Sequence, residues 1–339
     1  MVDFYDYMSG NILFLGAGSW AIALSRLISD RNDNIYLYEP VKENYSGLCR
    51  FRESRRALPG IKIPKKIKII KDCRGLEGGI DYAVIALPTQ KIRTILGRLK
   101  GRFNRDTVFV SVSKGIEINT GLVVSGIIKD VLGPVKIAVL SGPTYAEEVA
   151  AGLPVSCVCA AENPGTADKV IGLFLSRYFR VYSSRDLMGV QIGGALKNVI
   201  AIASGISDGL ALGVSTRAAL ITRGLAEIIR FGRLMGAKTE TFSGLAGVGD
   251  LILTCTSDLS RNRRFGLQMV KLKKRKNALG KIGMVVEGVE TSKAVHLLAV
   301  KHGVEMPITE QIYKILYRGV SPGKALSDLL GRSAKPEIY

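Results

Sequence analysis

Two charged residues stand alone in apolar runs, where a charge is costly unless it has work to do. Residues 187–207, LMGVQIGGALKNVIAIASGIS, contain a single charged side chain, Lys197, at their centre. Residues 244–256, GLAGVGDLILTCT, contain a single one of opposite sign, Asp250. Desolvation disfavours an ammonium, so a buried lysine moves toward neutral pH, where it can give and take a proton. A carboxylate beside it would offset the cost of burying both. The two lone charges therefore read as a pair serving general acid chemistry, such as protonating a carbonyl oxygen during its reduction. The plainer alternative is a lysine with a buried stem and its head in water.

A second group of residues suits anions. Ser260 can cap a helix whose first turn offers backbone amides, Arg261 and Asn262; the alternative is a solvated basic helix start. Lys114 and the run Gly142-Pro143-Thr144 follow apolar segments, where the ligands of doubly wound sheets collect. Gly16-Ala17-Gly18-Ser19-Trp20-Ala21 is a GxGxxA turn between a strand-like and a helix-like segment. There Gly16 permits a tight turn, Gly18 lets a pyrophosphate approach the backbone, and small Ala21 permits close helix–sheet packing. Glu39 follows Gly16 by 23 positions, near the spacing of a carboxylate that binds an adenosine ribose diol, and it favours NAD over NADP.

The elements that must carry these residues follow from hydrophobic pattern. Apolar runs at 11–15, 34–39, 81–87, 107–111, 137–140 and 155–160 read as strands, most of them separated by helix-length segments. The expected fold is α/β, an N-terminal doubly wound Rossmann-type sheet followed by an all-α C-terminal domain. The seam is expected near Ser183–Asp186, giving a dinucleotide-binding domain at 1–184 and a helical substrate-binding and catalytic domain at 185–339. Residues 187–207 are long enough to span a bilayer, but the central lysine argues for a helix buried in protein on nearly all sides.

The 339 residues carry a formal charge of +19. Residues 50–74 contribute +8 and residues 259–281 contribute +9, so the remainder is close to neutral. Each segment holds one aromatic residue, Phe51 or Phe265, which is too few for a base-stacking platform, and no nucleic-acid partner is expected. If the two segments flank a cleft, they would steer anionic ligands into it. Five scattered cysteines and two histidines, His296 and His302, argue against a disulfide framework and a metal site. Asp3 and Asp6 in place of a basic leader predict no signal peptide, and with the cysteines a cytoplasmic location.

Taken together, the motifs resemble the bacterial-type NAD(P)-dependent glycerol-3-phosphate dehydrogenases. The resemblance rests on GAGSWAIAL, LPGIKIP, SVSKGIE, LSGPTYAEEVAAGLP, GGALKNVIAIASGISDGL, GLAGVGDLILTCTSDLSRNRRFG, VVEGVETSKAV and GVEMPITEQIY, in that order. It implies reduction of dihydroxyacetone phosphate to sn-glycerol 3-phosphate, reversibly, supplying the glycerophospholipid backbone. It places the general acid/base on Lys197, its partner on Asp250 and the substrate lysine on Lys114. Substrate phosphate and diol contacts fall on Gly142, Thr144, Ser260, Arg261 and Asn262. Cofactor contacts, for NAD with NADP as the alternative, fall on Ser19, Trp20, Lys114, Ala146, Arg261, Val285 and Glu287. Thr254 lies in the same run as Asp250, within reach of the site, and the apolar helical half offers a homodimer surface. The sequence departs from the family at Ala21, at Glu39 and in the basic stretch 271–281, for which catalysis gives no reason. Two other readings remain: a related dehydrogenase of a 2-hydroxy acid, and a dinucleotide-sensing or nucleic-acid-binding protein. An arginine-rich helix start suits a phosphate monoester better than the first of these.

Overall fold

The computed structural model describes residues 10–73, 76, 79–334, 336 and 337. Asp3 and Asp6 of the leader reading, Arg74 of the first basic segment, and the extreme ends of both expected domains lie outside them.

Eight strands form one sheet: β1 Ile12–Leu15, β2 Ile35–Tyr38, β3 Lys68–Ile70, β4 Tyr82–Ile85, β5 Val108–Ser111, β6 Lys136–Ser141, β7 Val155–Ala161 and β8 Phe179–Ser184. Their order is β3-β2-β1-β4-β5-β6-β7-β8. Every neighbouring pair is parallel except β6 with β7. The first six strands thus have the doubly wound order, with the chain reversing direction of growth between β1 and β4. Leu13 of β1 sits opposite Tyr36 on one side and Ala83 on the other. Alternation along β1 sends Ile12 and Phe14 into one core layer, Leu13 and Leu15 into the other, so helices cover both faces.

β3 and β8 have no counterpart among the apolar runs. β3 is three residues long and lies inside the basic segment. β8 is a sheet edge on which buried Phe179 and Val181 alternate with exposed Arg180 and Tyr182, so it lacks a continuous apolar run.

Beyond β8 the described chain is helical. The helix Leu187–Gly209 begins at Asp186, whose carboxylate accepts from the Gly189 amide at 2.9 Å and ties down Lys238 N and Thr241 Oγ1. By length and composition it is the one helix among the described residues that could cross a membrane, yet 94% of its apolar window is buried inside the protein. Helices Gly213–Leu234, Asp250–Thr256, Arg261–Leu272 and Glu287–His302 pack around it. Its approach to Arg261–Leu272 is close enough to require glycine on both sides. A Cβ on Gly205 would stand 1.9 Å from the Arg263 carbonyl oxygen, and one on Gly266 would stand 2.2 Å from that of Ile202.

Candidate active site

The glycine turn joins β1 to the helix Ser19–Ile28. Gly16 has φ +102°, and a Cβ there would stand 2.6 Å from the Ala86 carbonyl oxygen. Gly18 differs: its backbone is extended, and an added Cβ would meet nothing within 4 Å. It caps the helix without a side-chain acceptor, so the first-turn amides have no capping partner among the described residues. A pyrophosphate fits that cradle. Ala21 is fully buried against the sheet, as its size requires, while Ser19 is half-buried and Trp20 packs partly against the core. Ala146 opens the short helix Ala146–Ala150, is buried, and lies in the segment that packs on Ser19–Ile28. Glu39 directly follows β2, partly buried, with its Oε1 accepting from the Val41 amide at 3.0 Å. Burial pushes its carboxyl above the usual range.

The two lone charges meet. Lys197 Nζ donates to Asp250 Oδ1 and, at 2.8 Å, to Thr254 Oγ1. Lys114 Nζ donates to the other carboxylate oxygen of Asp250 at 2.7 Å and to the Gly142 carbonyl at 3.3 Å. Asp250 is 0% exposed and Lys197 7%. Position 193, one helical turn before Lys197, is glycine because a Cβ there would stand 2.3 Å from the Ala246 carbonyl oxygen. That gap admits the wide turn Leu245–Gly249, which delivers Asp250 to the lysine. Thr254, one turn beyond Asp250, gives its hydroxyl hydrogen to the Asp250 carbonyl at 2.6 Å and accepts from Lys197. Burial lowers the Lys197 ammonium to about 8; the carboxylate of Asp250 opposes this shift and the charge of Lys114 adds to it. One buried carboxylate thus serves two ammonium groups, leaving the cluster one positive charge in excess.

The anion-binding candidates lie alongside. Ser260 is the N-cap of Arg261–Leu272, its Oγ accepting from the Arg263 amide at 3.2 Å. Arg261 is partly buried and makes no hydrogen bond or close ion pair with any described residue; burial lowers its pKa, against the pull of Glu287 and Glu147. Gly142 and Thr144 follow β6, and Thr144 Oγ1 donates to the Gly142 carbonyl at 3.3 Å. Asn262 is engaged internally: its Nδ2 donates to Asn198 Oδ1 at 2.8 Å and its Oδ1 accepts from the Gly288 amide at 3.0 Å. Glu287 Oε1 accepts from the Thr89 amide at 3.1 Å, and burial raises the carboxyl to about 7. Val285, two residues earlier, is exposed.

Lys114, Gly142, Thr144, Lys197, Asp250 and Thr254 form one hydrogen-bonded group, and Asn262 joins it through Asn198. Asn198 Nδ2 reaches the Lys114 carbonyl at 3.4 Å. No hydrogen bond links Ser19, Trp20 or Glu39 to that group. Asn198 was visible in sequence only as the neighbour of Lys197, and Thr89 carried no signal at all. Ser141 Oγ, buried at the end of β6, has no hydrogen-bond partner, and a Cβ on Gly194 would stand 2.7 Å from it.

Comparison with known proteins accounts for both halves. Residues 11–167 match the family described as NAD-dependent glycerol-3-phosphate dehydrogenase N-terminus, and residues 186–327 match its C-terminus. The chain is 42% identical over 326 residues to a glycerol-3-phosphate dehydrogenase (NAD(P)+) of Clostridium perfringens strain SM101, covering 96% of this chain and 98% of that one. It is 43% identical over 333 residues to the enzyme of the same name from Citrifermentans bemidjiense, covering 97% and 99%. The crystal structure of glycerol-3-phosphate dehydrogenase from Coxiella burnetii superposes with a TM-score of 0.92 at 37% identity, covering 96% of this chain and 99% of that one.

Proposed function

The chain belongs to the NAD-dependent glycerol-3-phosphate dehydrogenase family, and on that premise we propose that its site reduces dihydroxyacetone phosphate to sn-glycerol 3-phosphate with NAD(P)H, Lys197 acting as the acid. The observation that carries the assignment is the buried Lys197–Asp250–Lys114 cluster at the carboxyl ends of the strands. Its excess positive charge has no ion-pair partner among the described residues and suits a phosphorylated substrate.

Bound in the Gly16–Gly18 cradle, NAD(P)H supplies a hydride to the substrate carbonyl carbon. The chain's residues do the rest. Ser19, Trp20, Ala146, Val285 and Glu287 border the cofactor, and Glu39 meets its ribose. Lys114, Gly142, Thr144, Ser260, Arg261 and Asn262 hold the phosphate and the diol. Lys197 passes one proton to the oxygen that becomes the C2 hydroxyl and is left as a neutral amine. Its lowered pKa makes that transfer easy near neutrality, and Asp250 fixes the lysine's direction. In the reverse reaction the neutral amine takes the proton back.

The same reading divides the chain into a dinucleotide-binding unit at 1–184 and a substrate-binding and catalytic unit at 185–339. It places the enzyme in the cytoplasm without a polynucleotide partner, and gives the apolar helical half the role of a homodimer surface. The test is NADH oxidation followed with dihydroxyacetone phosphate and then with unphosphorylated dihydroxyacetone. Turnover is expected with the ester, and far less without the phosphate. No rate with the ester would overturn the reading.

A further inference from the structure

We propose that the exposed lysine cluster at 271–281 docks the protein on an anionic lipid bilayer surface. Lys271, Lys273, Lys274, Lys276 and Lys281 are exposed and have no ion-pair partner among the described residues. Some exposed lysines elsewhere have partners, Lys129 with Glu162 at 2.7 Å and Lys136 with Asp106 at 2.6 Å, while others, such as Lys91 and Lys301, have no ion pair among the described residues; 271–281 differs in gathering five unpaired ones within eleven residues. The cluster therefore repels itself, with no carboxylate among the described residues paired to it.

It is also held in place rather than hung on a tail. Lys273, at φ 57°, ends one helix, and the next, Arg275–Ile282, starts two residues later. Arg275 lies 4.5 Å over the Tyr317 ring, and Ala278 is buried in the helical core. The other basic segment reaches the same place, for Arg56 Nη2 lies 3.9 Å from where a Cβ on Gly283 would stand. The first basic segment thus touches the end of the second at this point, adding the exposed Arg56 to the cluster's border.

The chemistry of that surface favours lipid headgroups over nucleic acid. Nearby aromatic faces are occupied by cations, Tyr317 by Arg275 and Phe51 by Arg55 at 3.8 Å, so little is left for bases to stack on. Leu272 lies exposed among the lysines, an apolar group able to enter the headgroup boundary. A cluster of this size next to an anionic leaflet gains affinity with each lysine.

The test is co-sedimentation of the full chain with vesicles of phosphatidylcholine alone or mixed with phosphatidylglycerol, at about 0.1 M salt. Binding is expected only to the mixed vesicles. The triple variant Lys273→Gln, Lys274→Gln, Lys276→Gln should weaken it about 100-fold, with vesicle-free kcat unchanged, whereas Lys129→Gln with Lys136→Gln should bind as the parent does. No binding to the mixed vesicles, equal binding by the triple variant, equal loss in the Lys129/Lys136 variant, or tighter binding to polyuridylate would each overturn the proposal. Because it rests on surface charge and not on the reaction, a failed vesicle assay leaves the dehydrogenase reading intact.

Discussion

Lys197 and Lys276 carry the same side chain under opposite conditions. The first is almost cut off from water and holds two partners, Asp250 and Thr254. The second is exposed and holds none among the described residues. Burial makes an unpaired charge too costly to keep, so the buried lysine's surroundings are fully specified and its pKa is displaced. Water and salt screen the exposed lysine, so its neighbours are left unspecified and like charges can accumulate. Chemistry is assigned to the first region because its charges are constrained, and recruitment to the second because its charges are not.

The largest effect should come from breaking the constrained region. Lys197→Ala is expected to lower kcat by about 1,000-fold, within the usual range for loss of a general acid, while NADH still binds, as followed by fluorescence. Near-normal turnover would take Lys197 out of the proton transfer. A smaller effect is expected from pH. Donation needs the charged lysine, so dihydroxyacetone phosphate reduction should decline about tenfold per pH unit above about 8, whereas glycerol 3-phosphate oxidation, which needs the neutral amine, should decline below it. Profiles of kcat in both directions check the sign, and two flat profiles would contradict it. The smallest effect belongs to the exposed region. Lys276→Gln should shift stability by less than about 0.5 kcal/mol in urea unfolding, and a loss several times larger would reveal a partner that the comparison denies.

The same contrast explains what could be read in advance. The glycine turn is a local device, and strand, Gly16 and helix are adjacent in sequence. Lys197 and Asp250 were legible because each is the only charge in an apolar run, and Ser260 because a cap acts within its own turn. The Asn198–Asn262–Gly288 chain and the Glu287–Thr89 bond were not legible. They join residues on separate elements, and in the second case 198 positions apart, so nothing local marks them. β3 and β8 were missed because edge strands expose half their side chains. The meeting of Arg56 with the Gly283 turn depends on the packing of both halves, although each basic segment was plain by itself.

Thr254 has a consequence of its own. Its single hydroxyl hydrogen is committed to the Asp250 carbonyl, an atom that can only accept, so toward Lys197 it offers a lone pair and nothing else. If Lys197 is the acid, as proposed, its spent amine cannot be recharged from that side. The replacement proton has to enter from the flank where Lys114, the most solvent-open member of the cluster, shares the carboxylate, or from the ligand itself. On the proposed role of Lys197, threonine at this position would act as a check valve, confining the proton's return to the Lys114 flank or the ligand.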